Sequence, residues 1–253
     1  MISTSPRDAR RRGDPLRRGV RPVTESVEAT DAAHGDLNAW WRFGVPVVVG
    51  IERALFRVRV TGIHHVPLAG PGILTFDHIS VLDGPCLAAE VAWRRRRMVR
   101  FLVAAEVFDV PITGWILRSY RQIPIRRGRN DAGALDEAIA TIRRGAVAAI
   151  APEGAVNPKP GELQRIRSGI ARIALPTGAP VIPVGIWGTH RRWSKSGRHW
   201  GPLRPRLGLA FGEPIEPKGD VSRQDDVDAF VELVGAALER QLAEARMLAG
   251  EAA

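Results

Sequence analysis

The chain alternates between short apolar runs and longer segments in which apolar residues recur at helical spacing. Apolar runs bounded by Gly, Pro or polar residues are typical of buried strands, and helical spacing is typical of packed helices. Strands are predicted at 73–76, 99–104, 146–151, 180–187 and 206–212, with a short extended segment at 122–126. Helices are predicted over 83–93, from 130 or 131 to about 145, from Ser168, and from Ser222. This alternation predicts an α/β fold: a mixed, largely parallel sheet flanked by helices on both faces, with a C-terminal helix.

Residues 36–59 follow a different, amphipathic pattern. Apolar side chains fall on one helical face and arginines such as Arg42 on the other. The apolar face consists of Leu37, Trp41, Val48, Ile51, Leu55 and Val58. Pro46 interrupts the segment, so two short helices are predicted, the second beginning near this proline. Such a segment either lies at a membrane interface or packs on its own domain, and the pattern leaves both open.

Length and composition fit one α/β domain with appendages. The 253 residues are 45% hydrophobic and 25% charged, which allows a sizeable core. We divide the chain into a disordered basic tail (1–35), amphipathic membrane-interface helices (36–59) and an α/β domain with the C-terminal helix (60–253). The arginines of the tail are not followed by an apolar stretch, so a secretory signal is not expected. No apolar window is long enough to predict a conventional transmembrane helix.

Charge and cysteine content narrow the classes of function. The formal net charge of +10 predicts an anionic partner: nucleic acid, acidic lipid or a phosphorylated substrate. The chain has one cysteine, Cys86, which excludes an intramolecular disulfide and a cysteine-based metal cluster.

The most informative stretch, 77–83, has the sequence DHISVLD and joins a predicted strand to a predicted helix. On one continuous helix, His78 and Asp83 would point about 140° apart. With His78 in the turn and Asp83 at the helix N-cap, the chain doubles back and the two side chains can meet. A carboxylate beside an imidazole fixes its tautomer and favours its protonated form, as a general base requires. This spacing also occurs in ordinary polar turns, so other groups have to support the assignment.

Two further polar turns follow predicted strands, and in an open α/β sheet ligands bind at strand ends. Arg126 and Arg127 close the extended segment, and guanidinium groups suit a phosphate because they bind it bidentately. Glu153 and Gly154 follow the strand at 146–151, where a carboxylate can orient a hydroxyl or hold an arginine. Taken separately, the arginines and the Glu153 turn could each be ordinary charged residues on the protein surface.

Together these turns resemble the sequence blocks of the glycerolipid acyltransferases, typified by 1-acylglycerol-3-phosphate acyltransferases, over roughly residues 37–215. The N-H-x-x-x-x-D block of that family corresponds to 77–83, its I-P-V-D-R block to 123–127 and its F-P-E-G-T-R-S block to 151–157. A later F-K-x-G element corresponds to 166–169, and an apolar strand with proline to 181–184. Several blocks in one order are far more specific than any single block.

The sequence departs from the family pattern at three positions. Asp77 stands where the family usually has Asn, Arg126 where it has Asp, and Val156 where it has an arginine linked to the phosphate of the acceptor. The resemblance therefore implies an intact catalytic block and an altered acceptor block. Either Arg126, Arg165 or Arg167 takes the place of the missing arginine, or the acceptor is not a simple lysophosphatidic acid.

The resemblance implies an O-acyltransferase of phospholipid biosynthesis. A fatty acyl group would pass from acyl-CoA or acyl-carrier protein to the hydroxyl of a lysophospholipid, first of all 1-acylglycerol-3-phosphate, giving phosphatidic acid. His78 would be the general base and Asp83 would orient it. The substrate-binding candidates are Arg126 and Arg127, for a phosphate, and Glu153 and Gly154, which line the acceptor site. No metal is expected, and no cofactor beyond the acyl donor as co-substrate.

The expected partners are the acyl donor thioester, the lysophospholipid acceptor and an anionic membrane surface, and no nucleic acid. The expected location is the cytoplasmic face of the cell membrane, with peripheral attachment.

Three alternatives were weighed against this function. Another lysolipid or polar lipid can be the acceptor in the same reaction. A non-catalytic basic protein that binds membrane or nucleic acid accounts for the charge, but not for His78, Asp83 and Glu153 at strand ends. A thioesterase or esterase is disfavoured because the chain has no G-x-S-x-G nucleophile elbow.

Overall fold

A computed structural model describes residues 39–126, 132–198 and 203–251. The predicted basic tail (1–35) lies outside the described residues, as do Leu37, Arg127 and the helix start predicted at 130 or 131. The helices are α1 (Ala39–Leu55), α2 (Asp83–Arg95), α3 (Pro111–Ser119), α4 (Ala132–Arg143), α5 (Gly169–Thr177) and α6 (Gln224–Leu248). The strands are β1 (Arg57–Thr61), β2 (Gly72–Phe76), β3 (Val99–Ala104), β4 (Ile123–Ile125), β5 (Val147–Ile150), β6 (Val181–Trp187), β7 (Trp193–Ser194), β8 (Gly197–Arg198) and β9 (Arg206–Phe211).

Seven strands form one mixed sheet in the order β1-β9-β6-β2-β5-β3-β4. The five strands from β6 to β4 are mutually parallel, β9 is antiparallel to β6, and β1 is parallel to β9. The predicted mixed, largely parallel sheet is therefore confirmed. From β2 the chain moves to β3 and β4 on one side and later crosses to β6 on the other. The carboxyl end of β2 consequently lies at a topological switch point, where open α/β sheets bind ligands.

Helices cover both faces of the sheet. In β2 the side chains of Leu74 and Phe76 join a cluster with α2, whereas Ile73 joins the cluster of α4, α5 and α6 on the other face. Every residue of β2 is buried, as expected for a central parallel strand. α6 buries five members of the predicted apolar stripe and half-buries the sixth, Val231; the buried five are Val227, Phe230, Val234, Leu238 and Leu242. Its N-cap is Arg223 rather than the predicted Ser222.

The amphipathic segment contains one helix, and the prediction of two helices divided near Pro46 is wrong. α1 runs unbroken from Ala39 to Leu55 with Pro46 inside it. Pro46 is exposed, so the hydrogen bond that proline cannot donate is lost on the solvent side, where water can replace it. Residues 57–61 leave the helix and become β1, because their backbone pairs in parallel with β9 at the edge of the sheet.

α1 packs on the domain with a face other than the predicted apolar one. Val45 and Val49 are buried in a cluster with Ala89, Ala92 and Met98. The exposed large apolar side chains of α1 are Phe43, Val47, Val48, Ile51 and Leu55. The alternative in which the predicted face packs on the domain is therefore wrong for Val48, Ile51 and Leu55, whereas Val58, in β1, is half-buried against the main core. Helical periodicity finds an apolar stripe, but it does not tell which of two stripes is buried.

A buried carboxyl group lies where α1 packs on α2. Glu52 of α1 is buried, and its burial, together with the neighbouring Glu90, raises its pKa to about 9. Glu90 is also buried and forms ion pairs with Arg53 and Arg94. At neutral pH Glu52 therefore keeps its proton, next to Glu90, which is paired with two arginines.

Besides β1, helix α3 and the β7–β8 hairpin were not predicted from the sequence. α3 has nine residues and begins with a proline, which is typical of a first helical position. Its side chains Ile112, Trp115 and Ile116 are exposed. The helix therefore lacks the buried apolar stripe on which the other helix predictions relied. Within the described ranges, no helix has the length and hydropathy of a membrane span.

We expect Glu52→Gln to stabilise the protein increasingly as the pH rises. The folded state keeps a proton on Glu52 up to a pKa of about 9, whereas the unfolded chain releases it near 4.5. Between these values the unfolded state binds fewer protons, so the stability of the wild type falls with rising pH. The melting temperature of Glu52→Gln minus that of the wild type should grow across this interval.

The control is Glu106→Gln, at an exposed carboxylate, which should follow the wild-type pH profile. If the difference in melting temperature between Glu52→Gln and the wild type stays constant from acid to alkaline pH, Glu52 does not hold a proton in the folded state as assigned.

Candidate active site

Three adjacent strands end at the edge of the sheet where the predicted catalytic turn lies. β2 leads into Asp77 and His78, β5 into the turn that holds Glu153, and β6 into Thr189. β5 and β6 flank β2 and run parallel to it, so the three carboxyl ends come together. The site is thus assembled from residues far apart in the chain.

His78 and Asp83 meet as the sequence predicts. The imidazole Nδ1 lies 2.9 Å from Asp83 Oδ2. The side chain of His78 is partly exposed, whereas the carboxylate of Asp83 is fully buried. With Nδ1–H donating to the carboxylate, Nε2 is the basic nitrogen and can take a proton from a substrate hydroxyl.

Asp83 is anchored on both carboxylate oxygens. Besides the imidazole, Oδ2 accepts hydrogen bonds from the backbone N–H groups of Ile79 at 2.8 Å and Ser80 at 2.7 Å. Oδ1 accepts a hydrogen bond from the Thr189 hydroxyl at 2.6 Å. Asp83 is the first residue of α2 and Leu82 is its N-cap, so the predicted capping role of Asp83 is wrong. Its oxygens are occupied by the preceding turn and by β6, and the helix start is left without a side-chain cap.

Glu153 holds the backbone of the catalytic turn from the β5 side. Its Oε1 accepts a hydrogen bond from the His78 N–H at 3.0 Å, and its Oε2 accepts from the Asn157 amide at 3.1 Å and the Gln164 N–H at 3.0 Å. The Asn157 N–H donates in turn to the His78 carbonyl at 2.6 Å. Burial raises the pKa of Glu153 above its ordinary value. Both backbone polar groups of His78 are therefore fixed by the loop after β5.

Asp77 is buried directly before His78. Its Oδ1 accepts a hydrogen bond from the Ile186 N–H at 2.6 Å. Burial and the carboxylates of Asp83 and Glu153 raise the pKa of Asp77 well above its ordinary value. A protonated aspartic acid offers one acceptor oxygen and one donor group, as an asparagine amide does. This explains how Asp77 fits a position where the resemblance implies Asn.

Gly154 lies against the side chain of Arg167. Its φ of +78° is in the left-handed region, and a Cβ there would lie 2.9 Å from Arg167 Nε and 3.1 Å from Arg167 Cζ. The Arg167 N–H donates to the Pro152 carbonyl at 3.0 Å. Because residue 154 is a glycine, the guanidinium group of Arg167 can pack directly against the backbone next to Glu153.

Of the two arginines predicted to bind phosphate, Arg126 is the one that the structure describes, and its strand is not a neighbour of the strand that leads into His78. Arg126 follows β4 and is exposed at the same edge of the sheet. Three strand intervals separate β4 from β2, which corresponds to about 14 Å between their backbones. Arg127 lies outside the described residues. Phosphate binding by these arginines stays a prediction.

Ser80 has a structural role in the turn. It is fully buried, its Oγ accepts a hydrogen bond from the Leu82 N–H at 3.1 Å, and its hydroxyl donates to the Trp193 carbonyl. Ser80 thereby ties the β7–β8 hairpin to the catalytic turn. In the part of the chain that the structure describes, no group of three or more His, Cys, Asp or Glu side chains is placed to hold a metal ion.

The sequence analysis did not identify Thr189 or Asn157 as members of this network. Thr189 lies 106 positions after Asp83 in the chain, so no local spacing connects them. A signal was present: Thr189 is a polar residue directly after a buried strand, behind Gly188, which has a φ of +112°. Asn157 belongs to the polar turn of Glu153, four residues further on, and the same argument applies to it.

Comparison with known proteins places these features in a family. The sequence profile of a family described as Acyltransferase matches residues 57–187. A chloroplastic 1-acyl-sn-glycerol-3-phosphate acyltransferase from Arabidopsis thaliana is 25% identical over 137 residues, which are 53% of this chain and 37% of that protein. The lyso-ornithine lipid O-acyltransferase of Pseudomonas aeruginosa is 33% identical over 153 residues, or 59% of this chain and 53% of that protein.

The fold also matches a solved structure. The crystal structure of the 1-acyl-sn-glycerophosphate acyltransferase PlsC from Thermotoga maritima superposes with a TM-score of 0.64 at 24% identity. The match covers 87% of this chain and 88% of that one, so the whole described architecture, and not the sheet alone, is shared.

We expect the side chain of Asp83 to be needed for stability, with an amide as an acceptable substitute. Asp83→Ala removes four hydrogen bonds from a buried position and leaves their donors unpaired, which should cost about 2–5 kcal/mol of unfolding free energy. Asp83→Asn can keep Oδ1 on the turn and place its amide N–H toward Thr189, whose hydroxyl can also accept. It should therefore cost about 1 kcal/mol or less.

Urea unfolding of both variants measures these costs, with Asp109→Ala, at an exposed acid, as the control. Equal unfolding free energies for the alanine and asparagine variants of Asp83 would show that the network does not hold the turn.

Proposed function

Because the chain belongs to the acyltransferase family, we propose that it transfers a fatty acyl group from a thioester donor to the hydroxyl of a lysophospholipid. The observation that carries the proposal is the His78–Asp83 pair, with 2.9 Å between Nδ1 and Oδ2, at the switch point of the sheet. The imidazole is open to solvent on one side, and its carboxylate partner is not. This is the arrangement of a general base that deprotonates a hydroxyl.

In the proposed reaction, His78 Nε2 takes the proton of the acceptor hydroxyl while the oxygen attacks the thioester carbonyl carbon. The C–S bond then breaks, and the leaving sulfur receives the proton from the imidazolium. One ester bond is formed, one thioester bond is lost, and the base is regenerated. Asp83 stabilises the imidazolium and keeps the ring oriented. Glu153 holds the backbone of His78 so that the ring stays aimed at the acceptor.

The first candidate acceptor is 1-acylglycerol-3-phosphate, which would give phosphatidic acid. The net charge of +10 supports an anionic acceptor, and the printed name of the Arabidopsis thaliana relative gives this acceptor for that protein. Another lysolipid is the second candidate, since the name of the Pseudomonas aeruginosa relative gives a lyso-ornithine lipid. The proposed donors are acyl-CoA and acyl-carrier protein. The sequence predicts that Arg126 and Arg127 bind the phosphate, but Arg126 follows β4, three strand intervals from β2, so an arginine nearer His78 is favoured for this role. In this proposal Glu153 and Gly154 line the acceptor site.

We further propose peripheral attachment to an anionic membrane surface, on the cytoplasmic face of the cell membrane. The exposed apolar face of α1 supports it, with Phe43 exposed to 79% and Ile51 to 56%. On α3, Ile112 is exposed to 75% and Trp115 to 54%. Gly44 of α1 lies against the hydroxyl end of Tyr120, the residue directly after α3, so the end of α3 is close to α1.

The central test is an acyl-transfer assay with acyl-CoA and acyl-carrier protein as donors, a panel of lysolipids, and detection of products by mass. His78→Ala should lower turnover by about a hundred- to ten-thousand-fold, because the reaction loses its general base. Its melting temperature should stay close to that of the wild type, since the backbone contacts of residue 78 remain.

His64→Ala is the matched control, because His64 is exposed and belongs to another segment. Near wild-type turnover by a folded His78→Ala would disprove the mechanism. If the wild type acylates no lysolipid with either donor, the proposed function itself is wrong.

Membrane attachment is tested by point substitutions, because a deletion of 1–59 would also remove the buried Val45, Val49 and Phe56. Phe43→Asp combined with Ile51→Asp should reduce flotation with vesicles of phosphatidylglycerol and phosphatidylcholine. High salt should weaken the binding of the wild type only in part, since it screens charge and leaves apolar contacts unaffected.

Leu233→Asp is the control, at a half-exposed leucine of α6 on the other side of the sheet. If the α1 double variant floats with the vesicles as much as the control and the wild type do, the exposed face of α1 does not contact the bilayer.

A further inference from the structure

We infer that Arg167 binds the phosphate group of the acceptor. This inference rests on the proposed function and makes it more specific, because it assigns the anionic group of the substrate to one described residue. Three observations carry the inference: the guanidinium lies beside Gly154, it has no carboxylate partner in the part of the chain that the structure describes, and its loop follows the strand next to β2.

The guanidinium of Arg167 lies next to the group that fixes His78. Its Nε and Cζ are 2.9 Å and 3.1 Å from the place where a Cβ of residue 154 would be. Residue 154 directly follows Glu153, whose Oε1 accepts the His78 N–H at 3.0 Å. The backbone of Arg167 is itself held by the Pro152 carbonyl at 3.0 Å. The cation is thus placed by the same loop that places the base.

This cation is available for a ligand. Arg167 is exposed, and it forms no ion pair or side-chain hydrogen bond with any residue of the ranges 39–126, 132–198 and 203–251. Glu153, next to Gly154, does not pair with it, because both Glu153 oxygens already accept hydrogen bonds from His78, Asn157 and Gln164. A guanidinium in this state suits a phosphate monoester, which offers two oxygens to its two parallel N–H groups.

Its position along the sheet suits the geometry of the acceptor. In 1-acylglycerol-3-phosphate, the reacting hydroxyl and the phosphate are on neighbouring carbons, so the phosphate must lie close to the imidazole. Arg167 is held against Pro152 and Gly154 at the start of the loop after β5, and β5 lies one strand interval of about 4.8 Å from β2. Arg126 follows β4, three such intervals from β2, about 14 Å in all. Of these two arginines, Arg167 is the one that can reach a phosphate while the hydroxyl contacts His78.

The same location explains how the site can lack an arginine at 156. Val156 follows Gly154 by two residues in the loop after β5, and Arg167 comes back to this loop from the start of α5. The positive charge is therefore supplied from the returning end of the loop rather than from its first turn. Arg165, two residues earlier, is also exposed, but the three atoms nearest to a Cβ position at Gly154 all belong to Arg167.

The test compares Arg167→Ala, Arg167→Lys and, as the matched control, Arg165→Ala. Initial rates are measured against lysophosphatidic acid and against a monoacylglycerol of the same acyl chain, which lacks the phosphate. Arg167→Ala should raise the KM for lysophosphatidic acid roughly ten- to a hundred-fold, with smaller changes in kcat and in the KM of the donor. Arg167→Lys should recover part of this loss, because it keeps the charge but not the bidentate geometry.

Equal KM values of Arg167→Ala and Arg165→Ala for lysophosphatidic acid would overturn the inference. A similar loss on the monoacylglycerol would overturn it as well, because a structural role affects both acceptors. If the wild type acylates phosphate-free lysolipids but not lysophosphatidic acid, the inference fails while the acyltransferase function stands. If the wild type acylates no lysolipid at all, the proposed function and this inference both fail.

Discussion

The site depends on one buried carboxylate. Asp83 accepts hydrogen bonds from the imidazole, from two N–H groups of the preceding turn, and from a hydroxyl on the neighbouring strand end. A fully buried carboxylate is tolerated only where donors surround it, and here the donors are the catalytic turn and Thr189. Stability and function therefore rest on the same contacts: the arrangement that satisfies Asp83 in the folded state is also the one that orients His78.

Two further acids, Glu153 and Asp77, lie beside Asp83, and each has a feature that limits the electrostatic cost of burying it. Glu153 faces three N–H donors, which compensate for its burial. Asp77 has one, and its pKa is raised well above the ordinary value by burial and by the two carboxylates beside it. A neutral Asp77 limits the repulsion among three acids at adjoining strand ends. The departure of Asp77 from the family asparagine is then a change of residue that preserves the local charge.

Local features of the site were predictable from the sequence, and features that depend on packing were not. The turn 77–83 places His78 and Asp83 five residues apart, so their contact follows from chain geometry. The central strands were predicted because their apolar runs are bounded by turn residues. Thr189 was missed because its partner Asp83, the first residue of α2, lies more than a hundred residues earlier in the chain. The buried face of α1 was assigned incorrectly because both of its faces carry apolar residues, and only packing against Ala89, Ala92 and Met98 selects one.

α1 packs on the domain with one face and exposes the other, and this arrangement has a mechanical consequence. A helix joined to its domain by a loose linker would let the domain tumble above any surface that the helix touches. α1 is instead joined to the domain by Val45, Val49 and the carboxyl pair of Glu52 and Glu90, and it continues within two residues into an edge strand of the central sheet. A surface that contacts the exposed apolar face of α1 is therefore held at a fixed distance and angle from the strand ends beside which His78 lies. A substrate anchored in that surface would need to travel only sideways, in two dimensions, to reach the base.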